Sequence, residues 1–91
     1  MLRKKFQITN PEGLHLRPAA VICSHSIEFK SSITLKSDNK SVNAKSVLGV
    51  LSALVKCGDV IELICEGQDE KEAMDVLSKV ITEGIGYNFE T

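Results

Sequence analysis

Apolar residues recur along this chain in two rhythms, one of period two and one near 3.6, and the rhythms alternate in blocks. Residues 2–8 alternate loosely, with Phe6 and Ile8 as inward candidates, and predict a first strand. Asn10-Pro11-Glu12-Gly13 then breaks the pattern as a turn. Leu16, Ala19, Ala20, Cys23 and Ile27 fall at helical spacing and predict a helix over residues 16–27, with His15 near its N-cap. Ile33 and Leu35 in residues 32–36, and Val42 and Ala44 in residues 40–44, predict two strands joined as a hairpin across Ser37-Asp38-Asn39. A short helix over residues 47–54 and a strand over Val60–Glu66 follow. In that strand Ile61, Leu63 and Cys65 line one face while Val60 and Ile64 make the other partly apolar, as a strand near a sheet centre requires.

The last periodic stretch is a helix. Asp69-Glu70-Lys71-Glu72 has the spacing of a capping box, with Glu72 three residues after Asp69. Ala73, Leu77, Val80, Ile81 and Gly84 then fall on one helical face, and a stop is expected at Glu83-Gly84, where Gly84 can take a left-handed C-cap. The order βαββαβα predicts an α+β sandwich in one domain over residues 1–91, its core within 2–84 and a short tail over 85–91. Periodicity leaves open a ferredoxin-like arrangement with an added helix.

Composition adds bounds. Ninety-one residues make one small domain, and 43% hydrophobic with 25% charged residues is ordinary for a globular protein. With no Trp and one Tyr, broad stacking on single-stranded nucleic acid is not expected. The basic N-terminus has no apolar stretch behind it, and the longest nearly apolar run, residues 47–55, is too short to cross a bilayer. A cytoplasmic protein, acting as a monomer with no membrane or nucleic-acid partner, is expected. Cys23, Cys57 and Cys65 form no CxxC and suit reduced, packed thiols; neither a metal site nor a cofactor is expected. Residues 1–45 carry eight Lys or Arg against three acids, whereas residues 46–91 carry three against nine. The half containing His15 therefore favours anionic ligands and acidic partner surfaces.

Two segments carry candidate chemistry. In Gly13-Leu14-His15-Leu16-Arg17-Pro18-Ala19-Ala20, proline is tolerated in a first helical turn because the N–H it lacks has no intrahelical partner. The Leu16 and Arg17 N–H groups and the positive helix end then favour an anion on or beside the imidazole. Arg17 adds a planar fork able to take two phosphate oxygens. Taken alone, a histidine before a helix is most often a cap or surface residue. In Ala44-Lys45-Ser46-Val47-Leu48-Gly49-Val50, Ser46 is placed to cap the short helix, worth about 1 kcal/mol. A phosphate there would add roughly 1.5 to 2 negative charges where a helix tolerates them.

Together these segments resemble the histidine-containing phosphocarrier, or HPr, family of the bacterial phosphoenolpyruvate-dependent sugar phosphotransferase system. The resemblance spans residues 3–84. It implies an open-faced β-sandwich with four antiparallel strands under three helices. It also implies that His15 takes a phosphoryl group from enzyme I, expected on Nδ1, and passes it to a IIA domain. Arg17 would neutralise phosphoryl oxygens, with the Leu16 and Arg17 N–H groups as donors. Ser46 would be the target of a bifunctional kinase/phosphorylase. The chain would then be a carrier acted on by enzymes, or alternatively a regulator that signals through His15 or Ser46 without sugar transport. Leu16, Ala20, Val47, Leu48 and Leu51 are the candidate docking residues. The chain departs from the family at Leu16, where a small residue is usual, and at Leu54 and Lys56, where a glycine and a small or polar residue are common.

Overall fold

In the computed structural model, which describes residues 1–38 and 40–84, the chain runs β1 (Leu2–Gln7), α1 (Leu16–Ser26), β2 (Ser32–Ser37), β3 (Lys40–Asn43), α2 (Val47–Ser52), β4 (Val60–Glu66) and α3 (Glu70–Lys79). A π-helical turn over Val80–Gly84 prolongs α3 to the residue where the helix was expected to stop. The tail over 85–91 and Asn39 lie outside the described residues.

The strands form one antiparallel sheet in the order β1-β4-β2-β3. The strand closest to the C-terminus is thus inserted between β1 and β2, as its two-sided apolar sequence predicts. This order also settles the sheet against the ferredoxin-like alternative, where β1 would pair with β3 rather than with β4 alone. Leu35 stands opposite Leu63 and Val42, and Phe6 opposite Ile61, so each register brings apolar residues together on one face. That face and the helices close over a core containing Ile8, Ile22, Ile33, Leu35, Ile61, Leu63, Val50 and Leu77, all but excluded from water. Ser37 pairs with Lys40, so the hairpin is tighter than the three-residue connection expected, and Asp38 enters it at φ 51.

α1 buries a face that spacing alone did not name, and the expected start of α3 needs correction. In α1 the buried residues are Pro18, Ala19, Ile22 and Ser26, whereas Leu16, Ala20 and Ile27 are exposed and Cys23 is half-buried. Apolar residues surround this helix, so spacing alone allowed more than one inward face; Ile22 and Pro18 decide it by packing on the core. In α3 no capping box forms. The Asp69 carboxylate instead accepts from the Lys30 and Ser31 backbone N–H groups, each at 2.9 Å, and from the Ser31 hydroxyl. Glu70, one position later, accepts from the Gly67 N–H at 3.1 Å and pairs with the N-terminal ammonium at 2.9 Å. Ala73, Leu77 and Ile81 are buried as predicted, joined by Met74, and Val80 is half-buried.

Candidate functional site

The segment before α1 is held by the loop before β4. Ile8 donates to the Asp59 carbonyl at 2.8 Å and Gly58 donates back to Ile8 at 2.7 Å, which extends the β1–β4 ladder past the end of both strands. Leu14 donates to the Val55 carbonyl at 3.0 Å. Between these ties, Gly13 donates to the Asn10 carbonyl at 3.0 Å and its own carbonyl accepts from the Asn10 side-chain amide. Gly13 has φ +66, and a Cβ on it would run into the Val55 carbonyl oxygen and lie 2.8 Å from the Lys56 Cα. Only glycine permits both this conformation and this approach.

This closed turn delivers His15 in extended conformation, φ −82 and ψ −166, as the residue preceding α1. Its carbonyl accepts the first intrahelical bond, from Ala19 at 3.0 Å. The Leu16 and Arg17 N–H groups precede that bond, and Pro18, buried in the first turn, has none to contribute. The imidazole makes no capping bond and its side chain is 39% exposed. Its Nε2 lies 3.1 Å from Oε1 of Glu12, one turn of chain earlier. Arg17 is exposed on the first turn of α1. Sequence reasoning placed Glu12 only in a turn; a carboxylate three residues before the histidine, across a glycine, was the signal available.

Ser46 precedes α2 with φ −117 and ψ 117, and its Oγ accepts from the Gly49 N–H at 2.9 Å. This is the helix cap that the sequence predicts. Ser46 N–H donates to the Asn43 carbonyl at 3.0 Å, and Lys45 N–H to Asn43 Oδ1 at 2.9 Å. Across from them, the Cys23 thiol donates to the Lys45 carbonyl at 3.0 Å, and Lys45 Nζ reaches the Phe29 carbonyl at 2.7 Å. The start of α2 is thereby tied to the flank of α1. A Cβ on Gly49 would sit 3.2 Å from both the Asn43 carbonyl oxygen and Ser46 Oγ, tight enough to disturb the cap.

Of the candidate docking residues, Leu16 and Leu48 are 61% and 78% exposed, and Ala20 is exposed as well. Val47 and Leu51 are half-buried against the core. Leu54, not among those candidates, is 75% exposed just past α2. Among the described residues no group of three or more His, Cys, Asp or Glu is placed to hold a metal ion, and no helix is long and apolar enough to cross a membrane.

The family described as the PTS HPr component phosphorylation site matches residues 2–83. The chain belongs to the HPr family. HPr relatives include the HPr-like protein Crh of Bacillus subtilis (strain 168), 36% identical over 85 residues that cover 93% of this chain and 100% of that one. The phosphocarrier protein HPr of Buchnera aphidicola subsp. Acyrthosiphon pisum is 41% identical over 83 residues, covering 91% of this chain and 98% of its own. An HPr crystal structure from Thermoanaerobacter tengcongensis superposes with a TM-score of 0.89 at 42% identity, covering 94% of this chain and 97% of that one. A second structure from the same organism is of an HPr dimer, with a TM-score of 0.75 at 42% identity, covering 94% of this chain and 99% of that one. The four-stranded antiparallel sheet with three helices is thus the HPr fold, as the sequence resemblance implies.

Proposed function

We propose that the chain accepts a phosphoryl group from phospho-enzyme I on Nδ1 of His15 and donates it to IIA domains of a sugar phosphotransferase system in the cytoplasm. The observation that carries this reading is the half-exposed imidazole of His15, which makes no capping bond at the N-terminal end of α1. In the transfer, the Nδ1 lone pair attacks phosphorus, an N–P bond forms, and the donor's bond to phosphorus breaks with its electron pair leaving on the donor. The Leu16 and Arg17 N–H groups and the positive end of α1 favour the acquired charge. Arg17 neutralises phosphoryl oxygens in transit. A carrier must also release the group, so this stabilisation belongs to the transition state more than to the resting phosphohistidine. The partners complete the site, docking on Leu16, Ala20 and Leu48 together with the exposed parts of Val47 and Leu51. One copy holds every residue that this reading assigns to the carrier, and a monomer is its working form.

Ser46 is the regulatory position, phosphorylated by a kinase/phosphorylase. Its hydroxyl already occupies the α2 cap, so an added phosphate enters a place suited to negative charge and makes the neighbouring surface repel acidic partners. A second reading, a regulator that signals through Ser46 or His15 without sugar transport, draws on the similarity to an HPr-like protein. The nucleophile at His15 favours the carrier, since regulation through Ser46 alone has no use for it.

The test is to mix the protein with phosphoenolpyruvate, magnesium and enzyme I and weigh it intact before and after mild acid. One acid-labile phosphate per chain is expected, absent in His15→Ala. No label from an enzyme I that is active on another carrier would defeat the carrier reading.

A further inference from the structure

We infer that Glu12 is a positioning residue for this transfer: its carboxylate keeps the imidazole proton of His15 on Nε2 and so presents the lone pair of Nδ1 to the phosphoryl donor. The inference rests on the carrier reading above and names a residue that the reading does not require.

The carboxylate oxygen of Glu12 stands 3.1 Å from Nε2. A neutral imidazole has one N–H and one lone pair, and the partner of one nitrogen decides which it is. An ionised carboxylate can only accept, so its charge favours the tautomer with the proton on the nearer nitrogen, Nε2. The pairing is built into the backbone. Glu12 sits in the turn closed by Asn10 and Gly13, and Gly13 is packed against Val55 and Lys56 in a conformation reserved for glycine. Glu12 and His15 thus leave one rigid turn three residues apart, with little freedom to separate except by side-chain rotation.

The contact also strengthens as the reaction proceeds. When Nδ1 bonds to phosphorus no proton moves, and the ring, still carrying its Nε2 proton, becomes a phosphorylated imidazolium. Its positive charge is then drawn to the Glu12 carboxylate beside Nε2, an attraction that the neutral ring does not offer. An interaction that grows toward the transition state accelerates acceptance, and the attraction is given up again as the group is handed on, so only a modest one suits a carrier. Glu12 is 76% exposed, so water screens its charge. The effect is therefore about 3- to 10-fold in rate, far below the roughly 10⁴-fold loss when a buried triad loses its orienting carboxylate.

Two measurements test this on the full chain, compared with Glu12→Ala and Glu12→Gln. Long-range ¹H–¹⁵N spectra of the unphosphorylated protein read the tautomer of His15 without any donor. Initial rates of phosphoryl acceptance from phosphoenolpyruvate and enzyme I, with ³¹P assignment of the labelled nitrogen, read its consequence. The expected result is a proton on Nε2 in the parent, a mixed tautomer in Glu12→Ala, and acceptance slowed about 3- to 10-fold with some label misplaced on Nε2. Glu12→Gln, whose amide oxygen can still accept, should recover the tautomer and part of the rate. An unchanged tautomer in Glu12→Ala overturns the inference, and so does acceptance at or above the parent rate, which would mean that the carboxylate merely repels the donor. Failure of the carrier reading looks different: the parent itself takes no label on His15, while the tautomer comparison still decides what Glu12 does.

Discussion

Leu54 holds a backbone conformation that ordinarily selects glycine. It follows the C-cap Ala53 of α2 with φ 54, and its N–H donates to the Leu51 carbonyl at 3.1 Å, which closes the helix. A side chain in this left-handed region costs about 1 to 2 kcal/mol, and glycine avoids that cost at the expense of a more flexible unfolded chain. The Leu54 side chain is exposed and recovers little by packing. Leu54→Gly should therefore raise stability by about 0.5 to 1 kcal/mol, read as a higher urea midpoint with an unchanged slope. A lower midpoint would show that the leucine packs in a way that offsets its strain. The same residue explains why the end of α2 was misplaced from sequence: a glycine would have announced the stop after Ser52, whereas leucine reads as more helix. His15 and Ser46 were legible for the opposite reason. Each sits at a helix start whose local sequence, a proline in the first turn or a hydroxyl before an apolar run, is sufficient to place it. Glu12 went unread because its partner is fixed by the path of the turn and not by any helical spacing.

At the level of elements, Asp69 joins the start of α3 to the segment between α1 and β2. Three donors converge on its carboxylate: foremost the Ser31 hydroxyl, then the Lys30 and Ser31 N–H groups, and together they hold its pKa down to about 2, against an ordinary 3.8. Because the folded value is the lower one, this contribution is complete above the ordinary value and is lost as pH falls toward 2. Glu70 moves in the same direction, chiefly through the Gly67 N–H and then the N-terminal ammonium. The urea midpoint of the parent should accordingly fall more steeply between about pH 4 and pH 2 than that of Asp69→Asn, whose stability is lower at neutral pH and flatter in acid. Parallel curves would remove Asp69 from the acid response. Capping-box spacing could not foresee this use of Asp69, since the competing donors lie nearly forty residues away in sequence. The strands were easier to read: period-two alternation reports directly which face is covered, and all four were found within two residues of their ends. In α1, with apolar residues on several sides, the existence of the helix was legible and the burial of Pro18 and Ile22 was not.

Over the whole molecule, the three thiols report how the core is closed. Cys65, on the inner face of β4, is fully buried, and burial first, then the nearby Glu70 and Asp69 charges, pushes its thiol up to about 11. Cys57 is exposed and Cys23 half-buried. In native protein near pH 8, a thiol reagent should label Cys57 rapidly and leave Cys65 unmodified until denaturant is added, followed by mass spectrometry of the peptides. Labelling of Cys65 at a rate close to that of Cys57 would show that the sheet opens readily. The burial of Cys65 depends on the sheet order, which has a temporal consequence. Because β4 lies between β1 and β2, a ribosome that has released everything as far as α2 has released two unconnected pieces of sheet. The turn that carries His15 is in the same position, for Val55, Gly58 and Asp59 hold it from the far side. The histidine is synthesised early, but the residues that hold the turn around it follow 40 to 44 positions later, so a nascent chain exposes the residue before the geometry of its turn can form.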